Sequence, residues 1–434
     1  MLFIIYIALV LLNSLFLKSL IVTEINFQLV VFATILWVVM QVLLTNKKYK
    51  TMLNSMVVIS LLIILVFSVI NILLREDPFL FADDKAYYEY ATGIINKSIG
   101  LKYQGGIHYF ILEFLYSIVA RNTMVGRLIN IFSYIASIFI LSSIIPKGND
   151  FLKKKFLILS FFSEMLFLSL FEFKDSLFLL LLVIGVKLSY SSIESRSRTH
   201  KIIYGITSVL FYILANTLRV GVPLVFMGSL FLSYLLCKKD KTIKVDLFRI
   251  MIISTSAIMF ILVIGTIGTD NIITNKIQSY ANLLLLRENT QNIIAILNIS
   301  SITDFYKIPI AITLVPYSTI DFFKYDSFNL LVFSFLRLFS FYIYFNVLYL
   351  LFKGKRIDNK FSYLIILPVF VIIGIFSVTS PGILRHFSFL LPFIIMMYLI
   401  MNESNHLKHR IAFLLFLLIV NAYYFIASMR AFMT

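Results

Sequence analysis

The sequence predicts an all-α fold, a multi-pass transmembrane helical bundle of about thirteen spans with extracytoplasmic juxtamembrane helices. Three observations carry that reading. Hydrophobic residues make up 60% of the 434 and charged residues 14%. Apolar runs of about 20 residues recur from end to end, each long enough to cross a hydrocarbon core of roughly 30 Å. Most Lys and Arg sit in short loops between those runs, so the net charge of +17 follows membrane insertion bias and does not point to nucleic acid. Anionic lipid headgroups are the partner that such loops attract.

The runs fall at 1–22, 26–45, 52–74, 124–145, 156–171, 176–191, 202–217, 220–237, 250–268, 327–352, 361–379, 387–401 and 411–428. The first lacks a basic leader and a small-residue cleavage site, and reads as a retained span. Between the third and fourth runs, His108 to Ala120 is apolar but short, and suits an interfacial or re-entrant helix. With that segment not crossing, loops 46–51, 146–155, 192–201, 238–249, 353–360 and 402–410 share one side and hold 21 of the 38 Lys and Arg. The positive-inside rule makes that side cytoplasmic, with the N-terminus inside. The first outer loop is then 75–123, and a long one follows at 269–326, of a length that usually has a function or its own elements. The chain reads as one transmembrane domain, 1–434. A single cysteine, Cys237, excludes an internal disulfide and a Cys-based metal site.

Candidate chemistry gathers on the outer side. Asp83 is placed to cap a helix from about Asp84 to Ser98, on which Asp84, Tyr87, Tyr88 and Ala91 share a face. Two readings stand: an interfacial helix with tyrosines at headgroup level, or one carboxylate capping while the other serves as general base. Lys174 and Asp175 form either a polar hairpin tip or a phosphate-facing cation with its orienting acid. Arg219 and the pair Arg385-His386 lie at later outer turns, where arginine suits phosphate oxygens or snorkels to headgroups. Within the spans, Glu164 and Arg337 stand near mid-depth and are expected to pair. The five histidines are scattered and no metal constellation or glycine-rich nucleotide loop is present in the sequence.

This ordered set resembles bacterial polytopic glycosyltransferases of the GT-C type and the related polymerases of O-antigen and capsule repeat units. The residues that carry the resemblance are Asp83-Asp84 with Tyr87-Tyr88 and Ala91, Tyr109 to Tyr116 followed by Arg127-Leu128-Ile129-Asn130, Phe173-Lys174-Asp175, Leu218-Arg219 with Pro223, and Arg385. The pair here is Asp-Asp, where the best-known GT-C enzymes carry Asp-Glu. The resemblance implies transfer of a sugar or oligosaccharide from a polyprenyl-phosphate or pyrophosphate carrier on the outer face. Asp83 or Asp84 would accept the acceptor's proton, and Lys174, Arg219 and Arg385 would stabilise the leaving phosphate. Tyr87 and Tyr88 would line the acceptor groove, with Asp175 and His386 beside the substrate. The partners implied are a lipid-linked glycan donor and acceptor, membrane lipids and a chain-length regulator. No cofactor is fixed, and the acidic groups could hold a divalent cation. A single-sugar transferase and a lipid-linked oligosaccharide flippase are the alternatives.

Overall fold

A computed structural model describes residues 1–21, 24–43, 47–80, 82–93, 107–146, 148–237, 242–256, 328–379 and 385–401. The 269–326 loop and the 411–428 run lie outside the described residues, as does most of 250–268. In chain order the helices are α1 (Leu2–Lys18), α2 (Phe27–Leu43), α3 (Lys47–Leu74), α4 (Ala82–Ala91), α5 (Ile107–Ile118), α6 (Thr123–Ser142), α7 (Asp150–Phe161) and α8 (Glu164–Ser169). They continue with α9 (Asp175–Glu194), α10 (Arg198–Leu218), α11 (Val222–Leu236), α12 (Leu247–Ser256) and α13 (Phe328–Lys353). Asn359–Phe361, a π-turn at Ser362–Ile366 and Leu367–Thr379 run on as α14, followed by α15 (Arg385–Ser388) and α16 (Leu391–Met401).

The all-α class stands, but the count of thirteen spans does not. Among the described residues, five helices are long and apolar enough to cross a membrane: Tyr49–Leu74, Thr123–Ser142, Asp175–Glu194, Arg198–Leu218 and Asn359–Phe376. The sequence runs overstate helix length because apolar residues continue through turns and helix breaks. The runs at 1–22 and 26–45 form helices of 17 residues, about 25 Å at 1.5 Å per residue and short of the hydrocarbon thickness. The run at 156–171 is divided at Phe162-Ser163, where non-helical backbone, extended at Ser163, separates α7 from α8. The run at 220–237 gives a 15-residue helix and 387–401 ends in one of 11.

Local chemistry explains where the elements begin. Asn122 and Asn149 turn their side-chain oxygens onto Met124 N (2.9 Å) and Leu152 N (3.1 Å) to open α6 and α7. Gly221, at φ +91°, makes the tight turn into α11, with Pro223 in its first turn and Asn216 accepting from Gly221 N at 2.8 Å. α4 starts at Ala82, so Asp83 falls in its first turn instead of capping it from outside, and it ends at Ala91, short of the expected Ser98.

α6 is the central helix, touching α1, α2, α3, α5, α7, α8 and α9. α9 and α10 pack along one another with Gly185 against the ring of Tyr212, where a Cβ would come within 2.6 Å of the ring. α10 leaves Ile203, Ile206, Leu210 and Ile213 exposed along one face. An apolar stripe at helical spacing on the outside of the bundle is a lipid-facing surface. Glu164 and Arg337, both buried, approach to 3.5 Å, so the expected pairing of these two charges is present.

The loops collect at two ends. At one, Tyr49 donates to Asp150 (2.8 Å), and Lys360 lies over the ring of Tyr190. That end also carries an element with no counterpart in the sequence reading, an antiparallel ribbon of β1 (Thr242–Val245) and β2 (Lys355–Asp358). At the other end, Asn26 donates to Val119 O, Glu24 accepts from Arg121 N and from the Asn122 side chain, and Glu76 accepts from Phe328 N at 2.9 Å. α5 has both ends here, as its neighbours show: His108 beside Glu172, and Val119 beside Asn26. Twelve residues long, it does not cross.

Candidate functional site

Four chain segments meet under α4 and α5 and bury an unusual set of polar groups. Asp84, fully buried, accepts from the backbone N–H of Leu80 (3.1 Å) and of Glu172 (2.6 Å). It therefore ties the first long loop to the turn between α8 and α9. Arg127, one turn into α6, donates to Pro78 O at 3.0 Å and lies over the ring of Phe171 at 5.3 Å. Asn130, one turn further, donates to Phe171 O at 2.5 Å. These bonds hold the 171–173 turn, which would otherwise leave backbone carbonyls unpaired in an apolar setting.

Glu172, held in that turn, is the centre of the cluster. It is fully buried, and its Oε2 accepts from the Tyr116 hydroxyl at 2.5 Å. Its Oε1 has no hydrogen-bond partner among the described residues. Burial raises its pKa well above the ordinary carboxyl range, and the Asp84 charge raises it further; Tyr116 and Arg127 pull the other way. Tyr116 is held far above the usual phenol range, first by burial and then by Glu172. The close approach of the two depends on Gly126, where a Cβ would meet Glu172 Cγ and Tyr116 Oη at 3.0 Å each.

Tyr116 also lines a cavity of about 240 Å³ between α4 and α5, bordered by Tyr90, Thr92, Gly93, Glu113, Ser117 and Arg121. Arg121, one of the residues at its border, is exposed. Tyr116 thus stands between the cavity and the buried carboxyl. His108, on α5, places Nε2 3.4 Å from Glu172 O and packs its ring edge-on against Tyr87.

Burial lowers the His108 pKa to about 4. The folded state keeps the ring neutral while the unfolded chain takes a proton near pH 6.5. Stability contributed by neutral His108 is therefore full above pH 6.5 and lost as pH falls toward 4, by about 3 kcal/mol. We expect the stability difference between wild type and His108→Gln to shrink by that order across the window, measured by chemical unfolding in detergent.

The other sequence-selected residues are distributed as follows. Asp175, the first residue of α9, accepts from Arg219 Nε at 3.0 Å and from Nη2, in a pair almost wholly shielded from solvent. The Arg219 guanidinium also lies over Phe389 at 4.9 Å and Phe178 at 5.7 Å. Lys174 caps α9 and is half-buried, and His386 packs on Phe376. Tyr88 is core: its ring sits between Phe79 and Tyr116, and its hydroxyl donates to Arg121 O at 3.3 Å. Arg385 opens α15 and Asp83 lies in the first turn of α4; their side chains are outside the described set. Asp84 and Glu172 are brought together, as are Asp175 and Arg219. Among the described residues, no group of three or more His, Cys, Asp or Glu is arranged to hold a metal.

Glu172 is the residue that the sequence reading passed over as a site. Its signal was a lone acid between Phe171 and Phe173, which the fold buries with it. Several membrane-length helices, one with an apolar stripe along its outside, define a helical membrane-associated protein with several candidate spans. Compared with known proteins, the chain matches no family model, no curated protein and no solved structure.

Proposed function

We propose that the chain is a membrane glycan-assembly enzyme that transfers a sugar or oligosaccharide from a polyprenyl-(pyro)phosphate carrier, as a repeat-unit polymerase of the O-antigen or capsule kind. The observation that supports this most is the Tyr116–Glu172 hydrogen bond at the back of the α4–α5 cavity. A general base holds an abstracted proton more firmly as its pKa rises, and burial raises that of Glu172. The acceptor hydroxyl gives its proton to the Tyr116 oxygen while the Tyr116 proton passes to Glu172. The freed oxygen attacks the anomeric carbon, and the carrier phosphate leaves with the bonding electrons. Asp84 acts as a positioning residue through its bond to Glu172 N. Arg121, at the border of the cavity, is the cation assigned to the leaving phosphate, and Arg219 is engaged by Asp175. The cluster's end of the bundle would face out of the cell.

The test is made with membranes containing the full chain and a lipid-linked oligosaccharide carrying a fluorescent label. Products longer than the supplied unit, with release of polyprenyl pyrophosphate, are expected. Extension by one sugar from a polyprenyl-phosphate donor would shift the assignment to the single-sugar transferase, and no product from either donor would overturn it.

A further inference from the structure

The ribbon of β1 and β2 lies at the opposite end of the bundle from the cavity and serves none of the chemistry above. Its two faces differ. Val245 and Ile357 are buried and join the core, while Thr242, Lys244, Arg356 and Asp358 point outward and are exposed. Register sets Lys244 directly opposite Arg356. Like charges on directly opposed residues repel, and a bound anion would relieve that repulsion. Arg249 adds a third exposed cation, its Nη1 3.5 Å from Lys244 O and its Nε 3.4 Å from Asp246 Oδ2. Lys244, Arg249 and Arg356 stand here with two carboxylates, Asp246 and Asp358.

Position matters as much as charge. β2 follows α13 after one residue, Gly354, whose φ of +64° turns the chain out of the helix. The ribbon is therefore fixed at the rim of the bundle. Two large aromatics flank it in the open, Phe248 at 74% exposure and Phe352 at 76%. Exposed rings beside a cationic surface at a helix end are the arrangement that sits at a membrane interface, rings toward the acyl boundary and cations toward the headgroups.

We propose that the outer face of this ribbon, with Lys244, Arg249 and Arg356, is a docking surface for anionic phospholipid headgroups, anchored by Phe248 and Phe352. Each basic side chain near an anionic surface adds to the attraction, and three of them acting together separate anionic from zwitterionic lipid. The site holds whatever reaction occurs at the other end of the bundle.

The test uses full-length protein in neutral detergent, titrated with phosphatidylglycerol or phosphatidylcholine, with bound lipid counted by native mass spectrometry. Phosphatidylglycerol is expected to bind the wild type at least about tenfold more tightly, and K244Q/R249Q/R356Q is expected to lose that preference. K153Q/K154Q/K155Q, which removes charge elsewhere, is expected to keep it. F248S/F352S is expected to weaken both lipids. If the triple variant fails to fold, K244Q and R356Q singly are each expected to weaken phosphatidylglycerol by about threefold. Equal binding of the two lipids by wild type, or an unchanged preference in the ribbon variants, would overturn the proposal. Displacement of the lipid by millimolar inorganic phosphate would overturn it too, since it would mark a free-anion site.

Discussion

Arg219→Ala is expected to destabilise the protein by about 3–5 kcal/mol, the cost of stranding one charge of a buried pair. Asp175 would be left fully buried at the first turn of α9 without its guanidinium. The helix dipole favours a carboxylate there, so Asp175 resists neutralising itself by taking a proton. The loss also removes the rings' cation: Phe178 and Phe389 both lie under the guanidinium, and Phe389 belongs to the segment joining α15 to α16. Arg219→Lys keeps the charge but not the planar fork or the stacking, and is expected to fall between wild type and alanine. The double change Asp175→Leu with Arg219→Leu removes both charges and is expected to recover most of the lost stability. Thermal unfolding of the detergent-solubilised protein measures all three. If Arg219→Ala unfolds within about 1 kcal/mol of wild type, the pair is not the structural tie that its burial indicates. An arginine kept for a substrate phosphate would instead leave stability unchanged and reduce turnover.

The same pair shows what could be read from the sequence. Arg219 and Asp175 were both visible as charges at turns where charge is costly, but sequence offered no reason to join positions 44 apart. Glu164 and Arg337 were easier, because two opposite charges at mid-depth have few other partners. The non-crossing of α5 was legible from its length and from the charge count around it. The number of membrane-length helices was not. A 17-residue helix and a 20-residue one are written in the same apolar letters, and the break at Phe162-Ser163 has no proline or glycine to announce it. The ribbon was invisible for a different reason. Thr-Ile-Lys-Val and Lys-Arg-Ile-Asp are too short to show a period, and they pair across more than a hundred residues. Asp84 was legible as important, but its task was not: whether a carboxylate acts on substrate or on backbone N–H groups depends on what the fold brings to it.

Glu172→Gln is expected to leave the protein folded and to reduce glycan transfer by about 10²–10⁴-fold, the usual contribution of a general base. The two halves of that outcome have separate causes. Glutamine has the shape of a protonated glutamic acid, and its side-chain oxygen can still accept from Tyr116, so the buried packing beneath Gly126 is kept. What is lost is the ability to gain and release a proton. Tyr116→Phe should reduce transfer comparably, because it empties the step between cavity and carboxyl while the ring keeps its contact with Tyr88. Gly126→Ala should impair both folding and transfer, since its methyl needs the space that the pair occupies. A pH series separates a proton-transfer role from a packing role. The folded state holds the Glu172 proton more tightly than the unfolded chain does, so wild-type stability falls as pH rises through the elevated pKa. Glutamine does not titrate, so that fall is expected to be absent in Glu172→Gln, together with the ascending limb of the transfer rate. Full transfer by a folded Glu172→Gln protein would remove Glu172 from the reaction. A variant that fails to fold would make the carboxyl a structural group, and Tyr116→Phe would then decide whether the cavity is used at all.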